Sequence, residues 1–517
     1  MQPSGSHILN VVLFTPLVGA LVILLIPRAR AEIQRLVANA FGVLGVVVAL
    51  PLIWRYRAGA DAPRFQFVSD HSWIPLLGVR YTLGIDGLSL VLVLLTTVLG
   101  AVAMLSSWNA IREREKEFYM AMLVLQTGML GVFLSLDFVL FYVFWEAMLV
   151  PMYFLIGLWG SERRISAAIK FFLYTLAGSV VMLLGILAVY HSRGTFDMRT
   201  ILDAPFGADT LRAQKWLFWG FFVAFAVKVP MFPFHTWLPD AHTEAPTAAS
   251  VLLAGVLLKM GTYGFMRISV PMFPNAANAY RGAMVVLSLI AIVYGALVCL
   301  MQKDMKRLIA YSSVSHMGLC TLGIFALTPL GLSGSVLQQL NHGLATGGLF
   351  LLAGILYERR HTRLISEFGG LATPMPNFAA IYMIVTLSSL GLPLLGGFVG
   401  EFTVLRGAFE ARWQWAAWGL VGVILSAAYL LWLYQRVMLG EITNPANETL
   451  RDLSAREFAT LVPLVALSFW IGVYPTPIFR AIDQPVHKIV EAVNPGYYSV
   501  AAGPVAPVPA SAAAKAR

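Results

Sequence analysis

About fourteen apolar runs, each roughly 18 to 25 residues long, follow one another along this chain, and each is long enough to cross a hydrocarbon core of ~30 Å. In lipid every backbone N–H and C=O needs a partner inside the protein, so a chain built of such runs has one economical solution, a bundle of membrane-spanning helices. With 58% hydrophobic and only 12% charged residues and a mean hydropathy of +0.75, little is left over for a soluble domain. The runs fall near residues 8–26, 36–54, 86–106, 118–135, 137–158, 166–190 and 216–238. The other seven fall near 246–268, 282–300, 307–327, 335–357, 377–408, 414–435 and 458–475.

The first run is expected to stay in the membrane. The preceding MQPSGSH has no basic region, and Arg28 and Arg30 follow the run directly, which is unlike a cleaved leader. If the short loops alternate sides, one side collects Arg28, Arg30 and Arg35; Arg112, Arg114 and Lys116; Arg163 and Arg164; Lys303, Lys306 and Arg307; and Arg359, Arg360 and Arg363. The opposite short loops are nearly free of basic residues. The positive-inside rule makes the basic side cytoplasmic, and an even number of spans then puts both termini outside. The net charge of +10 is in this light a topology signal, with no nucleic-acid partner implied.

Cys299 and Cys320 lie inside apolar runs without CxxC spacing, so no disulfide framework, zinc site or iron-sulfur site is expected. No phosphate loop or dinucleotide fingerprint stands between a strand and a helix. No metal and no cofactor is expected on this chain. The tail from about Gly503, GPVAPVPASAAAKAR, is Pro/Ala-rich and is expected to be disordered.

Several charges stand where a membrane helix can least afford them. Glu146 is central in DFVLFYVFWEAMLVPMYFLIG, Lys228 is central in the seventh run, and Lys259 is central in the eighth. Glu401 follows a glycine-rich break in the twelfth, and His316 and His342 lie in the tenth and eleventh. Any one of these alone is commonly a structural ion pair or a hydrogen-bonded core histidine. A set of six points instead to an ion or proton path, because each buried ionisable group costs several kcal/mol. His235 and Lys170 are secondary candidates, and Lys170 is near enough to its helix end to snorkel.

Two runs also carry helix breakers beside a charge. Pro230 cannot donate to the carbonyl of Ala226, nor Pro233 to that of Val229, so the seventh helix should stop by Lys228 and leave carbonyls free to face its ammonium. Pro393, with Gly391, Gly396, Gly397 and Gly400, should interrupt the twelfth and put Glu401 in the first turn of the next half-helix, where the dipole favours a carboxylate. Interrupted helices five apart, each with a central charge, suggest an internal repeat whose second copy is inverted. The expected division is residues 1–117 for the first three helices, 118–268 and 269–435 for the two repeats, and 436–517 for the last helix and tail.

At these residues a family resemblance enters. KVPMFPFHTWLPDAHTEAPTAASVLLAGVLLKMGTYG, from Lys228 to Gly264, resembles the signature segment of the antiporter-like subunits of respiratory complex I and of Mrp-type cation/proton antiporters. The likeness extends from FWEAMLVPMY around Glu146 through KDMKRLIAYSSVSHMG to Glu401. Within that superfamily the chain is similar to the chain M, subunit 4 branch of NADH:quinone oxidoreductase: it lacks a long C-terminal lateral helix, and it has Glu401 where other branches usually have lysine.

The resemblance implies an all-α polytopic membrane protein with about 14 transmembrane helices, two inverted five-helix repeats and broken helices 7 and 12. It implies a coupled pair Glu146/Lys228, a central relay at Lys259, connecting residues His316 and His342, and a terminal residue Glu401. It places FMN, iron-sulfur clusters and quinone in other subunits, and it implies chain L and chain N type subunits and membrane lipids as partners. The expected location is the bacterial cytoplasmic (inner) membrane, with both termini periplasmic. The rival readings are a subunit of an Mrp-type sodium/proton antiporter, or of a proton-pumping membrane-bound hydrogenase.

Overall fold

The computed structural model describes residues 7–59 and 61–498; the tail expected from Gly503 lies outside them. The N-terminal part comprises α1 (Ile8–Leu25), α2 (Ala31–Arg55), a hairpin of β1 (Gln66–Ile74) and β2 (Val79–Ile85), α3 (Gly87–Ser106) and α4 (Glu115–Leu134). Then come α5 (Phe138–Ala147), α6 (Leu149–Trp159), α7 (Arg164–Arg193), α8 (Met198–Asp203), α9 (Leu211–Lys228) and α10 (Trp237–Glu244). The eighth run is built from α11 (Thr247–Leu252), α12 (Leu258–Gly264) and α13 (Val270–Met272), joined by two wide π turns at Leu253–Leu257 and Phe265–Ser269. The rest is α14 (Pro274–Leu300), α15 (Met305–Phe325), α16 (Pro329–Arg360), α17 (Pro376–Ser389), α18 (Gly396–Ala411), α19 (Trp413–Met438), α20 (Ala455–Val473) and α21 (Thr476–Val493).

Twelve segments among the described residues are long and apolar enough to cross a membrane, and the protein is an integral membrane protein. Runs seven and twelve are not among the twelve, and both are interrupted at their prolines. Helix starts are pinned by short polar side chains that accept from the first free N–H groups. Asp86 caps α3 through Ser89 at 3.1 Å, Asp137 caps α5 through Val139 at 2.9 Å, Asp304 caps α15 through Arg307 at 3.0 Å, and Ser454 with Glu457 forms a capping box on α20.

The burial pattern separates two kinds of helix. The segment Thr247–Met272, α15 and α16 are almost wholly enclosed, whereas α2, α7 and α20 present broad apolar faces outward. The polar residues of runs eight, ten and eleven are therefore held inside the bundle, away from lipid.

Two elements escape a search for apolar runs. The β1–β2 hairpin pairs Gln66 with Ile85 through to Ile74 with Val79, and Gly78 turns it in the left-handed region at φ 69°. Asp70 fastens it: its carboxylate accepts from Arg80 at 2.7 Å, Arg199 at 2.8 Å and Thr82 at 2.9 Å. The second is α21, where a tail alone was expected after the last span. Its buried face runs through Ile478, Ile482, Val486, Ile489, Val490 and Val493, and it lies across α3, α13, α14 and α16. Tyr56 donates to the Ala481 carbonyl at 3.3 Å and Gln484 to that of Ala62 at 2.5 Å, so hairpin and α21 share one end of the bundle.

Candidate functional site

Helix α9 ends at Lys228 and no helix resumes before Trp237. Of the two carbonyls that the prolines free, that of Ala226 does not face the ammonium, contrary to expectation. Met231 N donates to Ala226 O at 2.8 Å, and the Trp237 indole donates to Val227 O at 2.9 Å. The Lys228 side chain, 1% exposed, instead turns to soft neighbours: Met148 Sδ is 3.7 Å from Nζ, and the rings of Trp145 and Phe171 lie 5.3 and 5.8 Å away. Sulfur and ring faces are weak acceptors for a cation.

Glu146 stands in the last turn of α5, beside a kink at Met148 that the sequence reading missed. Pro151 has no N–H for the carbonyl of Ala147, so the helix cannot run straight through. Glu146 and Lys228 influence one another electrostatically but do not form an ion pair, and Ser179 of α7 is the polar neighbour of the carboxylate. Its Oε1 has no hydrogen-bond partner among the described residues. The bundle is tight here: a Cβ on Gly261 of α12 would lie 2.7 Å from Phe225 O and 2.9 Å from Val229 N.

Lys259 is in a different situation. It lies on the short α12 between the two π turns, 0% exposed, and Nζ is 2.5 Å from Ala254 O and 2.6 Å from His342 Nδ1. A π turn leaves its carbonyls off the ordinary helical ladder and marks functional positions in many helices. From His342 the polar line continues. The His316 ring is 6.0 Å away, centroid to centroid, and His316 Nδ1 lies 3.5 Å from Glu401 Oε1. Tyr429 of α19 is 3.3 Å from His316 Nε2, and Gln338 of α16 donates to Glu401 Oε1 at 3.3 Å.

Glu401 sits in the second turn of α18, one turn past its expected place. Its carboxylate folds back over the break between α17 and α18. A Cβ on Gly391 (φ +80°) would come within 2.4 Å of Oε2, and one on Gly397 within 2.0 Å of Ser388 O. The positive φ at Gly391 favours glycine, and a side chain there would push the Glu401 carboxylate aside. Pro393 lies in that break, and Gly396 opens α18.

Of the lesser candidates, Lys170 does not simply snorkel: it pairs with Asp240 at 2.7 Å. His235 is buried against Phe232 and Tyr294, with neither ring nitrogen partnered among the described residues. Several residues were missed from sequence. His242 stacks on Phe350 at 4.6 Å and feels the charges of both Lys306 and Lys259. Lys306, counted with the basic loops, is buried and donates to the carbonyl of Ala245. Arg267 forms a buried ion pair with Asp86 at 2.6 Å, with Tyr263 and Ser89 beside it. The conspicuous signal for that pair was an arginine inside an apolar run. No cluster of three or more potential metal ligands forms among the described residues.

Residues 135–426 match the family described as the transmembrane part of NADH:quinone oxidoreductase and Mrp antiporters. The chain belongs to that family. Residues 62–133 match the amino terminus of NADH-ubiquinone oxidoreductase chain 4. The chain is 46% identical to NADH-quinone oxidoreductase subunit M of Rhodobacter capsulatus, over 94% of this chain and 97% of that one. It is 43% identical to NADH-ubiquinone oxidoreductase chain 4 of Arabidopsis thaliana, over 93% and 97%. A chain of respiratory complex I from Thermus thermophilus superposes with a TM-score of 0.85 at 33% identity, covering 94% of this chain and 99% of that one. The family's transmembrane region thus contains Glu146, Lys228, Lys259, His316, His342 and Glu401 within its matched residues.

Proposed function

We propose that this chain is a proton-translocating membrane subunit of an NADH:quinone oxidoreductase, in which redox-driven change elsewhere in the complex moves protons along a buried line of acids, lysines and histidines. The observation that carries the residue assignment is the succession Lys259, His342, His316, Glu401, enclosed in the bundle with a direct contact between lysine and histidine and another between histidine and acid. Lys259 is the hub, the histidines relay, and Glu401 is the terminal acid. Glu146 and Lys228 form the variable element: a lysine in low dielectric keeps or sheds its proton according to how near its counter-charge stands. In this structure the two are apart, and closure of that gap would favour the charged pair.

The chain acts as part of the enzyme complex, with FMN, iron-sulfur clusters and quinone held by other subunits and chain L and chain N type subunits as neighbours. Its place is the bacterial inner membrane with both termini periplasmic. The halves at residues 118–268 and 269–435 act as inverted repeats, each with one broken helix. The match to the chain 4 amino terminus favours this reading over an Mrp-type antiporter or a membrane-bound hydrogenase.

The test is reconstitution of the intact complex in vesicles with simultaneous measurement of NADH oxidation and proton uptake. Lys259→Ala is expected to cut proton movement by about 10²-fold, the scale of a lost acid–base group, and Glu401→Gln by less. Assembled complex that pumps at the parental rate in both variants overturns the assignment.

A further inference from the structure

Three buried side chains that the charged line does not use meet at the break between α17 and α18: Asn341 on α16, Ser388 in the last turn of α17 and Ser468 on α20. Asn341 Nδ2 donates to Ser388 O at 3.4 Å, and the Ser388 hydroxyl donates to Asn341 Oδ1 at 3.0 Å. The two serine hydroxyls stand 2.6 Å apart, and Gly396 N donates to Ser468 Oγ at 3.4 Å. A hydroxyl carries one proton. Ser388 spends its proton on Asn341, so Ser468 donates to Ser388, and the hydrogen bonds run one way from Gly396 N to the Asn341 oxygen. Because Ser388 is in the last turn of α17 and Gly396 is the first residue of α18, this chain closes a ring across the break.

The segment inside that ring needs outside support. Gly391 and Leu394 both have left-handed φ, 80° and 76°. Leucine is disfavoured at such an angle and persists there only where its surroundings fix it. The Leu394 residue is 66% exposed, so the packing of its side chain is not what fixes it. Helix α20 supplies the support: a Cβ on Gly472 would overlap the Leu394 carbonyl, and Ser468, one turn earlier, holds Gly396. On the inner side of the ring, Gly391 packs against Glu401 Oε2, an oxygen with no hydrogen-bond partner among the described residues. Helix α16 ties the ring to the charged line, since Gln338, Asn341 and His342 share one helical face. They hold Glu401 Oε1, the break and Lys259 in turn.

We propose that Ser388, Ser468 and Asn341 are positioning residues for Glu401, fixing the shape of the break and with it the place of the acid's second oxygen; this rests on the reading of Glu401 as the terminal acid. The two breaks then differ in where their support comes from. The first is tied by Trp237, the residue at which helix resumes, onto the Val227 carbonyl. The second is tied by Ser468 of α20, which lies outside both proposed halves. A shift of α20 would therefore reach the terminal acid through a single serine, whereas the break beside Lys228 has no such outside tie in its Trp237 bond.

The test measures proton uptake per NADH oxidised by the whole complex in vesicles. Ser468→Ala removes the partner of Gly396 N, and uptake should fall about fivefold, the scale of one lost buried hydrogen bond. Ser468→Thr, which keeps the hydroxyl, should recover most of the parental value. In a Glu401→Gln background Ser468→Ala should bring no further loss, because both changes act on one group; a residue that merely supports the fold would lower both backgrounds alike. Ser388→Ala has the same expected outcomes and decides the matter if Ser468→Ala does not assemble. Parental uptake in both alanine variants, or equal losses with and without Glu401, overturns the inference, and an impaired Glu401→Gln in the same series would leave the proposed function standing. Parental uptake in Glu401→Gln removes the acid's role and the inference with it.

Discussion

Lys228 and Lys259 are the same residue type at similar burial, and the protein treats them in opposite ways. Lys259 has a carbonyl at 2.5 Å and an imidazole at 2.6 Å; Lys228 has a thioether at 3.7 Å and two aromatic faces beyond 5 Å. Burying an ammonium costs several kcal/mol unless hydrogen bonds or a counter-charge return it. The hub is compensated where it stands, and the lysine at the break is not. A charge left without compensation is the one whose protonation responds most to a small movement of Glu146.

The strongest way to break this contrast is to make the two lysines apolar. Lys259→Met should leave His342 Nδ1 and Ala254 O unsatisfied and destabilise the complex by about 1–3 kcal/mol, the cost of orphaned buried polar atoms. Lys228→Met, placed among Met148, Trp145 and Phe171, should leave thermal stability unchanged or raise it while abolishing proton movement. Equal losses of stability in thermal denaturation would erase the distinction.

Gly391→Ala sharpens the comparison at the far end of the line. The new methyl meets Glu401 Oε2 in a backbone region that disfavours a side chain, so turnover should fall several-fold, with a cost of about 1 kcal/mol or more. Adding Glu401→Gln to this variant should produce little further loss, because both changes strike one group; additive losses would separate them.

The smallest effect lies outside the membrane, in the hairpin. Burial works against the Asp70 carboxylate, but hydrogen bonds from Arg80, Arg199 and Thr82 hold its pKa at about 2, below the ordinary 3.8. A depressed folded-state value means that this support is complete above the ordinary value and is lost as pH falls from there towards 2. Hydrogen exchange of β1 and β2 should accelerate over that window, and Asp70→Asn should remove the pH dependence while leaving the pumping contrast intact.

The membrane helices were legible because lipid permits few backbone solutions, and the breaks beside Lys228 and before Glu401 because proline leaves no choice. Glu401, His316 and His342 were legible as ionisable groups inside apolar runs, and the structure brings them together. What the sequence hid was whatever depends on where a freed group turns. Pro230 predicts that a carbonyl is released, but that the Trp237 indole takes up the neighbouring Val227 carbonyl follows only from packing. The kink at Met148 had its proline in plain view, yet Pro151 lies in a run apolar enough to pass for a straight helix. The hairpin and α21 were hidden because their apolar residues recur every second or every fourth position and never add up to a span. His242 and Lys306 sit among loop-like residues, and only their burial makes them notable.

One of the hub's two partners is the Ala254 carbonyl, set in the π turn that precedes Lys259. Being main chain, it is present whatever amino acid occupies that position. Genetic drift can remove His342 or Glu401 with a single codon change, but it can take this oxygen from the lysine only by rewinding the helix itself. Half of the lysine's coordination is thereby shielded from ordinary mutation, and inherited loss of the hub should arise through residues that set the turn, Gly255 among them, as readily as through Lys259.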